Sequence, residues 1–174
     1  DHFHRFEEDL DLLVDAGFDA YRFSFSWSRL FPDGKNLNSK GLDFYKQLLD
    51  AINSRGLRPF GTAYHWDMPQ ALGALGGWTM RDNAERFGEY MGFIARNFGE
   101  NLENLVSINE PWCVAWLSHY LGEHAPGLRD LNSAVKASHF VCLGHGLGVQ
   151  AARAETKKPI GVVLNFTPGR LANN

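Results

Sequence analysis

The tripeptide Asn109-Glu110-Pro111 is the segment of this chain best suited to carry out chemistry. It follows an apolar run, residues 105–108, that is typical of a buried strand, and Pro111 ends that strand by removing a backbone donor. A carboxyl group at such a position is costly to bury, and the carboxyl ends of parallel strands are where α/β enzymes keep their catalytic groups. We therefore consider Glu110 a candidate acid or base and Asn109 a candidate partner for a substrate hydroxyl.

Polar and aromatic side chains also mark the ends of three other apolar segments. They are Arg22 with Ser24, His65 with Trp66, and Asn165. An arginine between aromatic residues would be a costly inward charge unless it faced a polar site. Aromatic faces beside polar groups suit sugar rings, whose axial C–H bonds form apolar patches. The pattern indicates one site assembled from several strand ends.

The elements that must position these residues alternate regularly along the chain. Predicted strands cover residues 20–25, 57–64, 105–109 and 160–165, each preceded by a predicted helix. This alternation predicts parallel strands with helices outside. An open doubly wound sheet and a barrel both satisfy it. No glycine-rich phosphate fingerprint follows any strand, and the strand-end residues would meet at one face only in a barrel, so we favour the barrel.

Hydrophobic spacing predicts the buried face of each helix. The first predicted helix places Phe6, Leu10, Leu13 and Val14 on one face, and Gly17 is placed to end it. Three further helices follow, and the inner-face residues of the second and third are Leu42, Tyr45, Leu48, Leu49, Ile52, Phe87, Met91, Ile94 and Phe98. No linker or low-complexity segment interrupts the series, so residues 1–174 are predicted to form a single domain.

Composition excludes several classes of function. Of 174 residues, 44% are hydrophobic and 21% charged, and the net charge of −3 is too small to indicate a nucleic-acid or membrane partner. No apolar run approaches the roughly 20 residues needed to span a bilayer. His2 and His4 lie on different helical faces, so no metal site and no cofactor are predicted. Cys113 and Cys142 are predicted to be buried free thiols, which favours a reducing compartment such as the cytoplasm.

Several segments resemble glycoside hydrolase family 1, the β-glucosidase family. They are DHFHRFEEDLDLLVDAGFDAYRFSFSWSRLFP, YHWDMPQAL with GGW, INEPWC and HAPG. They follow one another in the family's order over residues 1–168. The resemblance implies a TIM (β/α)8 barrel, of which this chain covers about four βα units, strands two to five. It also implies retaining hydrolysis of β-glucosides or related small oligosaccharides.

The resemblance assigns roles residue by residue. Glu110 matches the acid/base, which must hold its proton near neutral pH. His65 matches a histidine that hydrogen-bonds the sugar in the glycone site, with Trp66 beside it, and Asn109 matches the residue that holds the sugar 2-hydroxyl. Arg22 matches the strand arginine that steadies the nucleophile. Trp112 is expected to line the aglycone side, although core packing is almost as good an interpretation. Asp67 is interpreted as a structural hydrogen-bond acceptor.

The chain departs from the family at the second carboxylate. The family's nucleophile is a Glu in a Thr/Ile-Glu-Asn-Gly motif, which does not occur here. A whole barrel typically needs about 250 residues, so four strands cannot close one alone. The missing half would come from the remainder of a cleaved or truncated enzyme, or from a second copy of the chain. Two alternatives stay open, namely an inactive half-barrel with weak sugar binding or self-association, and a retaining hydrolase acting on other glycans.

Overall fold

The computed structural model describes residues 1–169 of the chain. Its helices and strands follow in the order α1 His2–Asp15, β1 Ala20–Ser24, α2 Trp27–Leu30, α3 Ser39–Ser54, β2 Arg58–Tyr64, α4 Gln70–Ala74, α5 Arg81–Phe98, β3 Asn104–Asn109, α6 Leu131–Glu155 and β4 Ile160–Val163. Single 3-10 turns lie at Gly77–Thr79 and Gly99–Asn101, and a π-helix covers Cys113–Leu121. The predicted alternation of strand and long helix is confirmed.

The four strands form one parallel sheet in the order β1-β2-β3-β4. Along β1, Phe23 is buried among aromatic side chains such as Tyr45 of α3, whereas Arg22 and Ser24 are exposed on the opposite face. The helices therefore cover one face of the sheet and leave the other open. Sequential parallel order with helices on one face is the arrangement expected for consecutive units of a (β/α) barrel.

The core between sheet and helices is largely aromatic. Phe25 stacks on Phe98 with ring centroids 4.9 Å apart, and Trp27 stacks on Tyr90 at 5.0 Å. The predicted inner faces of α3 and α5 are buried, apart from Leu42, which is partly buried. Full burial of each such side chain contributes about 1.5–3 kcal/mol. This packing fixes the strands on which the polar open face is built.

Helices α5 and α6 pack closely because glycines lie between them. A Cβ atom added at Gly148 of α6 would stand 2.7 Å from Cγ of Met91 on α5, a distance that real Cβ contacts do not reach. Asp130 is the N-cap of α6, and its carboxylate accepts a hydrogen bond from the backbone N–H of Ser133 at 2.7 Å. These features place α6 behind β3 and β4.

Three predictions about the fold were wrong in detail. Val14, predicted to face inward, is 42% exposed, because α1 lies at the end of the sheet and only Leu10 on it is fully buried. Cys142, predicted to be buried, is exposed on α6. The π-helix Cys113–Leu121 lies in a segment predicted to be a loop. Its apolar residues follow no 3.6-residue period, which is why the sequence did not indicate it.

Within residues 1–169, no helix is long and apolar enough to cross a membrane.

Candidate active site

Glu110 lies at the junction between β3 and the π-helix, in an unusual backbone conformation. Its φ angle is +49°, in the left-handed region that non-glycine residues seldom adopt. Its N–H donates to the carbonyl of Val163 at 2.8 Å, and its own carbonyl accepts from the N–H of Cys113 at 2.9 Å. The backbone of Glu110 is thus held from β4 on one side and from the following helix on the other. Such strain, held by surrounding structure, is concentrated at functional sites.

Arg22 links the first strand of the sheet to the third. Its Nη2 donates to Oδ1 of Asn109 at 2.7 Å, and its Nε donates to Oγ1 of Thr62 at 3.0 Å. Thr62 belongs to β2 and Asn109 ends β3, so the guanidinium spans three adjacent strands. Asn109 is only 4% exposed. The interaction fixes the orientation of its amide, because Oδ1 is occupied and Nδ2 is left as the free donor.

A register shift in β3 turns Asn109 towards this face. Strict alternation would place Ser107 and Asn109 on the same side of the sheet. However, Ser107 Oγ lies 2.7 Å from Nδ1 of His145 on α6, whereas Asn109 contacts Arg22 on the open face. The pairing of β3 with β4 is irregular between Val106 and Asn109. This irregularity re-aims the strand end, as β-bulges beside active sites commonly do.

His65 lies at the end of β2 between two opposite charges. Partial burial lowers the pKa of its imidazole, the nearby Arg22 guanidinium lowers it further, and the Glu110 carboxylate acts in the opposite direction. The ring is therefore neutral at neutral pH. A neutral imidazole offers one donor and one acceptor, which suits a sugar hydroxyl.

Trp66 and Trp112 are placed differently from each other. Trp66 has a φ of +77°, and its Nε1 donates to the carbonyl of Asn109 at 2.9 Å. Its indole N–H is thus used within the protein, and the exposed ring, packed 4.7 Å from His124, is what remains to contact a ligand. Trp112 is 48% exposed. Its side chain is not among the described hydrophobic residues that pack against the core.

Two residues that the sequence analysis did not place in the site join it, namely Cys113, which was predicted only to be a buried thiol, and Thr62. The thiol of Cys113 donates to Oε2 of Glu110 at 3.1 Å, and burial together with the neighbouring Glu110 carboxylate raises the pKa of this thiol to about 11. The sequence held no clear signal for the contact with Cys113, because it depends on the left-handed backbone of Glu110.

A cavity of about 370 Å³ opens beside Arg22, Thr62 and His65, on the β1 side of the open face. Glu110 lies outside its lining. The polar ends of three strands gather beside the cavity rather than within it: Arg22 is hydrogen-bonded to Asn109, and the charges of Arg22 and Glu110 both act on His65. In residues 1–169, no group of three or more His, Cys, Asp or Glu side chains is arranged to hold a metal ion.

Asp67 is a hydrogen-bond acceptor, consistent with the structural role predicted for it. Ser28 Oγ donates to its Oδ2 at 3.3 Å. Burial raises the pKa of this carboxyl to about 6, although hydrogen bonds from Ser26 and Ser28 act in the opposite direction. Asp67 belongs to the loop that carries His65 and Trp66, and its hydrogen bond with Ser28 ties that loop to α2.

Comparisons with known proteins bear on the family and the fold of the chain. The sequence model of Glycosyl hydrolase family 1 matches residues 1–170. The β-glucosidase of Agrobacterium sp. (strain ATCC 21400) is 47% identical over 167 residues, which are 95% of this chain and 36% of that protein. The crystal structure of the AHE enzyme from Alicyclobacillus herbarius has a TM-score of 0.94 and 48% identity, over 96% of this chain and 38% of that one.

A β-glucosidase from Thermotoga maritima, solved in complex with castanospermine, has a TM-score of 0.93 and 43% identity, over 95% of this chain and 38% of that one. The chain thus spans less than two-fifths of the length of these relatives. The predicted fold, a partial (β/α)8 barrel of about four βα units, is confirmed.

Proposed function

The chain belongs to glycosyl hydrolase family 1, and from that membership we propose that it supplies the acid/base half of the active site of a retaining β-glucosidase. The observation that carries the proposal is the placement of Glu110. Its carboxyl stands at the carboxyl end of β3, on a backbone fixed by hydrogen bonds from both neighbouring elements. Residues 1–174 act in this proposal as one domain, part of a larger barrel.

In the first step, Glu110 donates its proton to the glycosidic oxygen while a second carboxylate attacks the anomeric carbon. In the second step, Glu110 takes a proton from water, which then hydrolyses the glycosyl-enzyme. Retaining chemistry requires the two carboxyl groups about 5–5.5 Å apart. A fixed backbone at Glu110 supports such a separation, because it limits the volume that the carboxyl can sample.

The neighbouring residues bind the sugar. Because Arg22 occupies Oδ1 of Asn109, the amide Nδ2 is free to donate to the sugar 2-hydroxyl, a contact that strengthens in the transition state. Neutral His65 serves a further glycone hydroxyl. Trp66 offers its ring face to the sugar, and the exposed Trp112 lines the aglycone side.

The second carboxylate comes from the remainder of the barrel. This is supported by the open polar face of the sheet and by the short share of each relative that the chain spans. A second copy of the chain is the competing source, and size-exclusion chromatography distinguishes them. A monomeric chain excludes the second copy.

The test is hydrolysis of an aryl β-glucoside. We would compare the 174-residue chain with a chimera in which the chain replaces the matching 167 residues of the Agrobacterium β-glucosidase. Each would carry Glu110→Gln or, as matched control, Glu103→Gln, which changes an exposed carboxylate at the opposite end of β3. We expect the chimera to be active. Glu110→Gln should lower its activity at least about 100-fold, and Glu103→Gln should leave its activity unchanged.

Other outcomes would change the assignment. A chimera that folds but retains activity in Glu110→Gln would contradict the acid/base role. A chimera that folds and is inactive would favour a half-barrel with weak sugar binding, measurable by titration with glucose. An active chimera that prefers other β-glycosides would keep the mechanism and replace the substrate.

A further inference from the structure

Cys113 contacts Glu110 at both its backbone and its carboxyl group. The N–H of Cys113 donates to the Glu110 carbonyl at 2.9 Å, and its thiol donates to Oε2 at 3.1 Å. The thiol is itself contacted by Asn165, whose Nδ2 lies 3.8 Å from the sulfur. Asn165 follows β4, the neighbour of β3 in the sheet. A chain of hydrogen bonds therefore runs from the end of β4 through the sulfur to the carboxyl group.

We propose that Cys113 is a positioning residue for the acid/base, holding the Glu110 carboxyl through a relay from Asn165 to the thiol and from the thiol to Oε2. This inference rests on the proposed function of Glu110. A thiol offers one donor and weak acceptor sites, so it can receive from Asn165 while it donates to Glu110. Hydrogen bonds in such a series strengthen one another.

The protonation of the thiol supports the relay. Burial and the carboxylate of Glu110 keep the thiol protonated, since they raise its pKa to about 11. The S–H donor is therefore present throughout the neutral range. Of the described charged groups, Glu110 is the one that acts on this thiol. Cys113 is buried whereas Glu110 is only partly buried, so the thiol approaches the carboxyl group from its protein side.

The position of the thiol differs from that of a cysteine that only fills space in the core. A merely space-filling residue would leave Oε2 of Glu110 to solvent and the carboxyl free to rotate. The carboxyl must instead point to one oxygen of the substrate, first as a donor and then as an acceptor of a proton. Holding one carboxyl oxygen on the sulfur leaves the other oxygen for the reaction.

The first test needs no catalysis. In the 174-residue chain carrying Cys142→Ser, which removes the exposed thiol, we would follow the titration of Cys113 by its ¹³Cβ NMR shift. We expect Glu110→Gln to lower the pKa of the thiol, because the carboxylate charge is removed. Glu103→Gln is the matched control and should leave the titration unchanged. A thiol titration that does not move in Glu110→Gln would overturn the contact.

The second test uses the chimera and a series of aryl β-glucosides with good and poor leaving groups. Cys113→Ala should lower kcat/KM about 3- to 10-fold for poor leaving groups, which need the proton, and leave the best leaving groups unaffected. Cys113→Ser, which keeps a donor, should recover most of the loss. Cys142→Ser should have no effect on any substrate.

The outcomes separate the two proposals. A chimera that folds and is inactive would refute the function assigned to Glu110, while the thiol titration in the 174-residue chain would still decide whether the contact exists. An active chimera in which Cys113→Ala lowers every substrate equally, or in which serine does not restore activity, would refute the relay alone. Such a result would mean that Cys113 only fills space.

Discussion

Replacing Arg22 by methionine tests the interaction that organises the open face. The guanidinium donates to two acceptors on different strands, Asn109 Oδ1 at 2.7 Å and Thr62 Oγ1 at 3.0 Å. Both acceptors belong to residues that are almost completely buried, at 4% and 1% exposed. Methionine has a similar length and no donor, so both oxygens lose a partner, and water in the neighbouring cavity can reach only the Thr62 hydroxyl among them.

The expected loss follows from these two acceptors. A buried acceptor left without a donor costs about 1–3 kcal/mol. The amide oxygen of Asn109 bears this cost fully, whereas the hydroxyl of Thr62 can rotate to another partner and stays near the lower end. We therefore expect Arg22→Met to lower the free energy of unfolding by about 2–4 kcal/mol. The pKa of His65 should rise in the same variant, because the nearby positive charge that lowers it is removed.

The assay is urea unfolding of the 174-residue chain followed by circular dichroism, with the His65 titration followed by NMR. Arg58→Met is the matched control, because Arg58 makes an exposed ion pair with Asp19 and should change stability by less than about 1 kcal/mol. Adding Asn109→Leu to Arg22→Met should recover about 1–2 kcal/mol relative to the sum of the single variants. A change within 0.5 kcal/mol, of the order of that expected for ordinary surface substitutions, would refute the reasoning.

Further predictions concern packing and pH. Gly148→Ala should lower the free energy of unfolding in urea by about 1–3 kcal/mol, because the new Cβ would overlap Met91. Gly146→Ala on the same helix, where the new Cβ would meet no atom within 4 Å, should leave that free energy unchanged or raise it by up to about 1 kcal/mol. Equal effects of the two substitutions would contradict the packing of α5 on α6. Folding raises the pKa of Asp67 from 3.8 to about 6. The protonated carboxyl therefore contributes fully to stability below about pH 4, and the free energy of unfolding should fall by about 3 kcal/mol as the pH rises from 4 through 6. Asp67→Asn should abolish this loss, and a stability difference from wild type that stays flat between pH 4 and 7 would contradict the burial of the charge.

Patterns within single elements predicted most of the fold. The apolar spacing of α3 and α5 is nearly regular, and each of those helices buries one stripe against the sheet, so the period alone identifies the inner face. Gly17 lies in a left-handed conformation just beyond α1, as its position in the sequence indicated, and Gly56 ends α3 in the same way. The prediction that Val14 is buried was wrong, because its exposure depends on which elements lie beyond the end of the sheet. The hydrophobic spacing within one helix does not contain that information.

The sequence predicted which residues form the candidate site but not how their side chains are arranged. The gathering of Arg22, His65, Asn109 and Glu110 follows from their common position at strand ends. The register shift in β3 could not be predicted, because it arises from pairing with β4, more than fifty residues along the chain. The use of the Trp66 N–H by Asn109 is likewise a contact between strands. The roles assigned to these residues remain predictions.

Rescue by azide of Glu110→Ala in the chimera tests the central claim most directly. With a good leaving group the variant should still form the glycosyl-enzyme, since no proton is needed, but should hydrolyse it slowly for lack of a general base. Azide needs no base and is no longer repelled by a carboxylate. We predict that added azide restores turnover and yields the β-glucosyl azide. Absence of rescue, or an α-configured product, would contradict Glu110 as the acid/base of a retaining enzyme.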